Sequence, residues 1–116
     1  MKDDLACAQD VLKYAVRARA HVAGLTLADF ISDAKSQDAA FRCLEIMGEA
    51  TKRISAAYRT AHPEIPWARM AGFRDVLAHG YDGLDYQLCW KIIQENVPAV
   101  IAQLEAIVRP GMNDGT

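Results

Sequence analysis

The segment Phe41-Arg42-Cys43-Leu44-Glu45-Ile46-Met47-Gly48-Glu49-Ala50-Thr51 decides the fold class. Phe41, Leu44, Met47, Gly48 and Thr51 recur at spacings of three and four, and Ile54 and Tyr58 continue the row. That period lays one apolar stripe along an α-helix. Arg42, Glu45, Glu49, Lys52, Arg53 and Arg59 fall on the other side and suit water. Glu49 and Arg53 stand four apart, in the favourable order for an ion pair. The helix opens at Ser36-Gln37-Asp38 and is expected to run to about Ala61.

The same period continues in both directions. A first helix is expected from Asp3 or Asp4 to His21, with Leu5, Ala8, Leu12, Ala15 and Val22 inside and Asp10, Lys13 and Arg17 outside. Gly24 is its stop. Thr26-Leu27-Ala28-Asp29 has the capping pattern of a hydroxyl followed three residues later by an acid, and opens a short helix through about Asp33. His62-Pro63-Glu64-Ile65-Pro66 is a loop, because two prolines in four residues do not fit a helix interior. Pro66 suits the first position of a helix over 67–79, with Met70, Phe73 and Leu77 inside and Gly80 as the stop. Asp82-Gly83 is a turn. A last helix runs from about Asp85 to Val108 on a stripe of Tyr86, Trp90, Ile93, Val97, Val100, Leu104 and Ile107, with a kink at Pro98. No stretch alternates like a strand. The expected fold is all-α: an antiparallel up-and-down bundle of four main helices plus one short helix, in a domain over 1–110 with a flexible tail over 111–116. A bundle this small leaves apolar surface that a second copy could cover.

Composition narrows the function. The chain has 116 residues, enough for one domain, and is 52% apolar, enough to bury a core. No apolar run approaches the roughly 20 residues that span a bilayer. The start, Met1-Lys2-Asp3-Asp4, is polar and leads into no apolar signal core, so a cytoplasmic location is expected. Cys7, Cys43 and Cys89 are odd in number and far apart, which fits reduced, partly buried thiols rather than disulfides or a zinc site. The net charge of −2, without a Lys/Arg block, argues against a broad nucleic-acid-binding surface. It leaves room for a small cationic pocket, or for a groove made by two chains.

Chemistry gathers in Arg74-Asp75-Val76-Leu77-Ala78-His79-Gly80-Tyr81. If the helix reaches His79, then Arg74, Ala78 and Tyr81 lie near one line. His79 points away by about 140° unless the helix end turns it back. An arginine offers a fixed charge and a donor fork suited to phosphate. A histidine moves protons near neutral pH, and a helix C-terminus favours its charged form. Phosphodiester cleavage needs both roles, and RNA supplies its own nucleophile, the 2′-OH. Glu45 and Glu49 suit a solvated face. His21 belongs near a helix end, His62 in a loop, and Trp67 and Trp90 in packing or in a dimer contact.

The spacing R-x(4)-H-x-Y resembles the signature of the HepT toxins of the HEPN superfamily. Thr26 to Phe30, Leu44-Glu45-Ile46-Met47-Gly48-Glu49-Ala50 and Pro63-Glu64-Ile65-Pro66-Trp67 also resemble blocks of that family, so the similarity covers about 4–108. The resemblance implies a metal-independent ribonuclease without cofactor, working as a homodimer whose two motifs line one cleft. It implies that Arg74 holds the scissile phosphate and His79 handles the proton. Asp75 would orient its neighbours, and Glu49 would line the cleft. Tyr81 would be the residue to which a partner nucleotidyltransferase antitoxin, of the MntA kind, adds AMP. The role implied is the toxin of a type VII-like toxin–antitoxin system. The alternative is a non-catalytic helical subunit that docks the transferase and is modified by it.

Overall fold

The computed structural model describes residues 3–78 and 83–113, with side chains through residue 108. Among these residues there is no strand, and the fold is an all-α bundle. Helix α1 (Asp4–Val22) and α3 (Ala34–Lys52) form its main antiparallel pair. Between them lies the short α2 (Leu27–Ile31). Helix α4 (Ala56–Ala61), α5 (Trp67–Ala71) and α6 (Phe73–Leu77) follow. The chain closes with α7 (Tyr86–Lys91), a π-turn over Ile92–Asn96, and α8 (Val97–Asn113), which packs back on α1. No described helix is long and apolar enough to cross a membrane.

The core follows the expected stripes with one shift. Ala8, Val11, Leu12, Ala15 and Ala18 of α1 are buried against Leu44 and Met47 of α3 and against Val97, Val100 and Leu104 of the last helical stretch. Each large side chain so buried contributes about 1.5–3 kcal/mol. Leu5, expected inside, is exposed, and Cys7 takes the inner position instead. The small residues of α1 let α3 approach closely. Trp67 is buried and donates from its indole nitrogen to the His62 carbonyl at 2.9 Å. Trp90 packs on Phe30, with ring centroids 5.4 Å apart. Both tryptophans therefore serve packing, and His62 lies against Tyr58 in the loop.

Helix starts are capped as the sequence suggests, or one cap earlier. Thr26 and Asp29 form both bonds of a capping box at 3.0 Å. Helix α3 starts at Ala34, not Ser36, because Asp33 takes the cap: its carboxylate accepts from the Lys35 amide at 3.2 Å and from the Ser36 hydroxyl at 2.6 Å. Gln37 then donates to the Phe30 and Ile31 carbonyls, tying α2 to α3. Gly24 turns the chain after α1 with φ +79, a conformation that suits glycine.

Three expected helices are interrupted. The run from Ser36 to Ala61 breaks at Arg53–Ser55. Asp4, 51 residues earlier in the chain, accepts from the Ser55 amide at 2.8 Å and from its hydroxyl at 2.7 Å. Ser55 in turn caps α4 by accepting from the Tyr58 amide. Arg59, expected outside, folds back to donate to the Thr51 carbonyl at 2.7 Å. The run over 67–79 breaks at Gly72, where helix formation is weakest. It ends at Leu77, because Ala78 is extended and bridges Leu84 while the Asp85 amide donates to the Leu77 carbonyl at 2.8 Å. The distortion expected at Pro98 takes the form of the π-turn just before it, with the Val97 amide bonded to the Ile92 carbonyl five residues back. This wider turn relieves the crowding a proline imposes on the carbonyl four residues earlier. The last helix continues to Asn113, beyond the expected end at Val108.

Two tests follow from these interactions. The Ser55 hydroxyl and amide hold the Asp4 carboxyl below its ordinary value of 3.8. A lowered carboxylate pKa stabilises the fold above the ordinary value and loses that contribution as pH falls through the lowered one. Asp4→Asn should therefore lower stability near neutral pH and flatten its decline below about pH 4. Urea unfolding at stepped pH measures this, and identical curves for both proteins would contradict the clamp. At Gly48, an added Cβ would lie 2.7 Å from the Met70 carbonyl oxygen. That oxygen is backbone and cannot swing away, so Gly48→Val should cost about 1–3 kcal/mol despite the better helix propensity of most residues over glycine. An unchanged denaturation midpoint would show that α3 and α5 have room to part.

Candidate functional site

Helix α6 places the first half of the signature. Phe73 and Leu77 are buried and anchor this short helix, so Arg74, Asp75 and Val76 face outward. The expected line through Arg74 and Ala78 does not form, because the helix stops at Leu77 and Ala78 leaves it as extended chain. His79, Gly80, Tyr81 and Asp82 lie outside the described residues, as do their expected roles.

Arg74 is the best-defined group of the site. Its side chain is 69% exposed, yet its Nε lies 3.6 Å from Glu45 Oε2, and the Glu45 side chain is only 15% exposed. The other oxygen of Glu45 accepts from Arg42 at 2.8 Å. One carboxylate on α3 therefore stands between two arginines. At 3.6 Å its approach to Arg74 is an ion pair without a hydrogen bond, so it orients the guanidinium and leaves the donor fork open. An exposed pair of this kind adds little to stability. Its consequence is position.

Glu45, assigned to a solvated face from sequence, is thus the anionic partner of Arg74 among the described residues. The signal that could have found it is Gly48. A glycine inside an amphipathic helix often has a packing reason such as the close approach of another backbone, and Glu45 lies one turn earlier on that side. Glu49 lines a shallow pocket of about 90 Å³ together with Glu45, Gly48, Lys52, Ala71 and Arg74. It lies 3.6 Å from Arg42, which replaces the pair expected with Arg53. Asp75 is exposed on α6 beside Arg74.

The remaining nucleophiles are quiet. All three cysteines are free and buried. Burial pushes the Cys43 thiol up and the Cys89 thiol up to about 12, far from a reactive thiolate. Among the described residues, no three His, Cys, Asp or Glu side chains gather as metal ligands would.

Comparison with known proteins identifies the family. The family model described as "Ribonuclease HepT-like" matches residues 11–107, a span that includes Glu45, Glu49, Arg74, Asp75, His79 and Tyr81. The chain belongs to the HepT-like ribonuclease family. It is 44% identical over 79 residues to a protein of Thermococcus cleftensis named "Probable ribonuclease HepT", covering 68% of this chain and 72% of the relative. It is 38% identical over 85 residues to a "Putative RNase" of Methanocaldococcus jannaschii, covering 73% and 70%. It is 36% identical over 88 residues to a "Putative RNase" of Caldanaerobacter subterraneus, covering 76% and 79%. No solved structure matches.

Proposed function

We propose that the protein is an endoribonuclease of the HepT toxin kind, acting as a homodimer and without a metal ion. Arg74 holds the scissile phosphate, and its open guanidinium at the pocket rim is the observation that carries this reading. Glu45 sets the angle of that guanidinium, and Glu49 lines the same pocket. His79 moves the proton, and Asp75 orients its neighbours. The 2′-OH gives its proton to His79 as its oxygen attacks phosphorus, the bond to the 5′-oxygen breaks, and that oxygen takes a proton from a histidine of the cleft, leaving a 2′,3′-cyclic phosphate and a 5′-hydroxyl. Two chains bring their motifs into one cleft. The growth test is expression of the protein alone and beside a cognate nucleotidyltransferase. Arrest with RNA loss in the first case, and relief in the second, is the expected pair of results. Growth without arrest in the first case would contradict the toxin role.

Control rests on Tyr81, the proposed acceptor of AMP from an MntA-like transferase. An AMP group there would bring a phosphate beside Arg74 and His79 and pair with the charges that otherwise hold RNA. Intact mass measured after incubation with the transferase, ATP and magnesium should rise by one or more AMP groups. Tyr81→Phe, which lacks the acceptor oxygen, should show no rise. An equal gain in both proteins would place the modification elsewhere.

A further inference from the structure

A polar groove of about 330 Å³ runs between α1 and α3, beside the Arg74 pocket. Asp10, Lys13 and Tyr14 line it from α1, Arg42 and Glu49 line it from α3, and Arg53 lines it from the cap after α3. The two helices are antiparallel: Asp4 meets Ser55, and Arg17 lies close enough to Cys43 to act on its thiol. In that register Asp10 stands level with Glu49 and Ala50, Lys13 and Tyr14 with Glu45 to Met47, and Arg17 with Arg42 and Cys43.

The α1 side of the groove is aromatic and cationic. The Tyr14 ring is half-buried, with Lys13 Nζ 5.7 Å and Arg17 Cζ 5.0 Å from its centroid. Arg42 lies near enough to the Tyr14 hydroxyl to interact with it electrostatically. Three cations around one ring are a local concentration of charge on a chain of net charge −2. The cluster is also joined to the candidate site. Arg42 donates to Glu45, and Glu45 faces Arg74. Arg74, Glu45, Arg42 and Tyr14 therefore form one run along α3 into the groove.

We propose that the cation-flanked Tyr14 is a second subsite for single-stranded RNA, taking nucleotides adjacent to the one held at Arg74. It rests on the reading that the Arg74 pocket takes RNA. A nucleic-acid strand asks for two things at each step, a positive group for its phosphate and a flat surface for its base. Lys13 and Arg17 supply the first. The Tyr14 face supplies the second, and the Arg17 guanidinium, now over that ring, can move to the far side of the base. A paired duplex hides its base faces, so the subsite selects unpaired RNA.

The test uses a 2′-O-methyl single strand of about eight nucleotides, long enough to reach both sites and proof against attack by its own 2′-oxygen. Anisotropy reads its binding to the full chain across a salt series. Lys13→Glu/Arg17→Glu should weaken binding by about tenfold or more and reduce the salt slope by about 0.7 for each phosphate no longer neutralised. Tyr14→Leu, which keeps apolar bulk at this half-buried position, should weaken it about fivefold or more. The control is Lys35→Glu/Lys91→Glu, an equal change in net charge at exposed positions elsewhere, which should stay within about twofold of the parent. Unchanged binding in the groove variants, or an equal loss in the control, overturns the subsite. Cleavage of an unmodified dinucleotide, too short to reach the groove, is measured alongside with the wild type. Dinucleotide cleavage with undiminished strand binding in the variants overturns the subsite alone. Weakened strand binding in the variants without dinucleotide cleavage supports the subsite and overturns the nuclease reading alone.

Discussion

Arg74→Ala should lower RNA cleavage by roughly 10²–10³-fold, the usual cost of removing one group that stabilises charge at the reacting centre. His79→Ala should lower it by roughly 10²–10⁴-fold, the range for a lost general acid or base. Arg74→Ala should leave the fold unchanged. Its side chain is 69% exposed, and α6 is held by Phe73 and Leu77 rather than by Arg74. Arg74→Lys keeps the charge but lacks the planar fork, so it should recover only part of the activity. Single-turnover cleavage, read beside circular dichroism and light scattering, separates chemistry from folding and assembly. Wild-type cleavage by Arg74→Ala would remove the phosphate-holding role.

The largest stability effect is expected one residue earlier. Phe73 is 2% exposed and is among the largest fully buried side chains of the molecule. Phe73→Ala should cost about 3–5 kcal/mol, the transfer of the ring plus the cavity it leaves. That is a large part of the roughly 5–15 kcal/mol a small domain possesses. The five-residue helix α6 has no side-chain cap at its start, so burial of Phe73 and Leu77 is what fixes it. Activity should fall with stability in this variant and recover at low temperature or with an osmolyte. Arg74→Ala should recover under neither condition. A loss below about 1 kcal/mol would mean that the core closes around the missing ring.

The contrast between these neighbours shows what the sequence made legible. Helix class and inner faces were readable because burial imposes a local period: Leu44, Met47 and Thr51 on α3, Ile93, Val97 and Leu104 on the last stretch. The capping box at Thr26 was readable because both partners lie within one turn. The break at Ser55 was not, because its cause is Asp4, 51 residues away in sequence. The end of α6 at Leu77 was hidden for the same reason, since it depends on pairing of Ala78 with Leu84.

The site was legible in a similar proportion. Arg74 stood out through its chemistry and its spacing from His79. The partner that aims it did not, because Glu45 shares the pattern of any outward acid on an amphipathic helix. Only the packing of α3 against α5 and α6, close enough to require glycine at position 48, turns Glu45 toward Arg74. The Tyr14 cluster was hidden too. Lys13 and Arg17 read only as the outward face of α1, and the groove that sets Tyr14 beside them is lined from two helices.

The most direct test of the ribonuclease assignment is the chemistry of the cut ends. Purified protein is incubated with RNA in excess EDTA, and products are compared with those from a strand carrying a single 2′-deoxy sugar at the cleavage position. Cleavage in EDTA that leaves a 2′,3′-cyclic phosphate and a 5′-hydroxyl, and that fails at the 2′-deoxy position, is the predicted result. Cleavage that needs added magnesium, or that proceeds equally at the 2′-deoxy sugar, would contradict it.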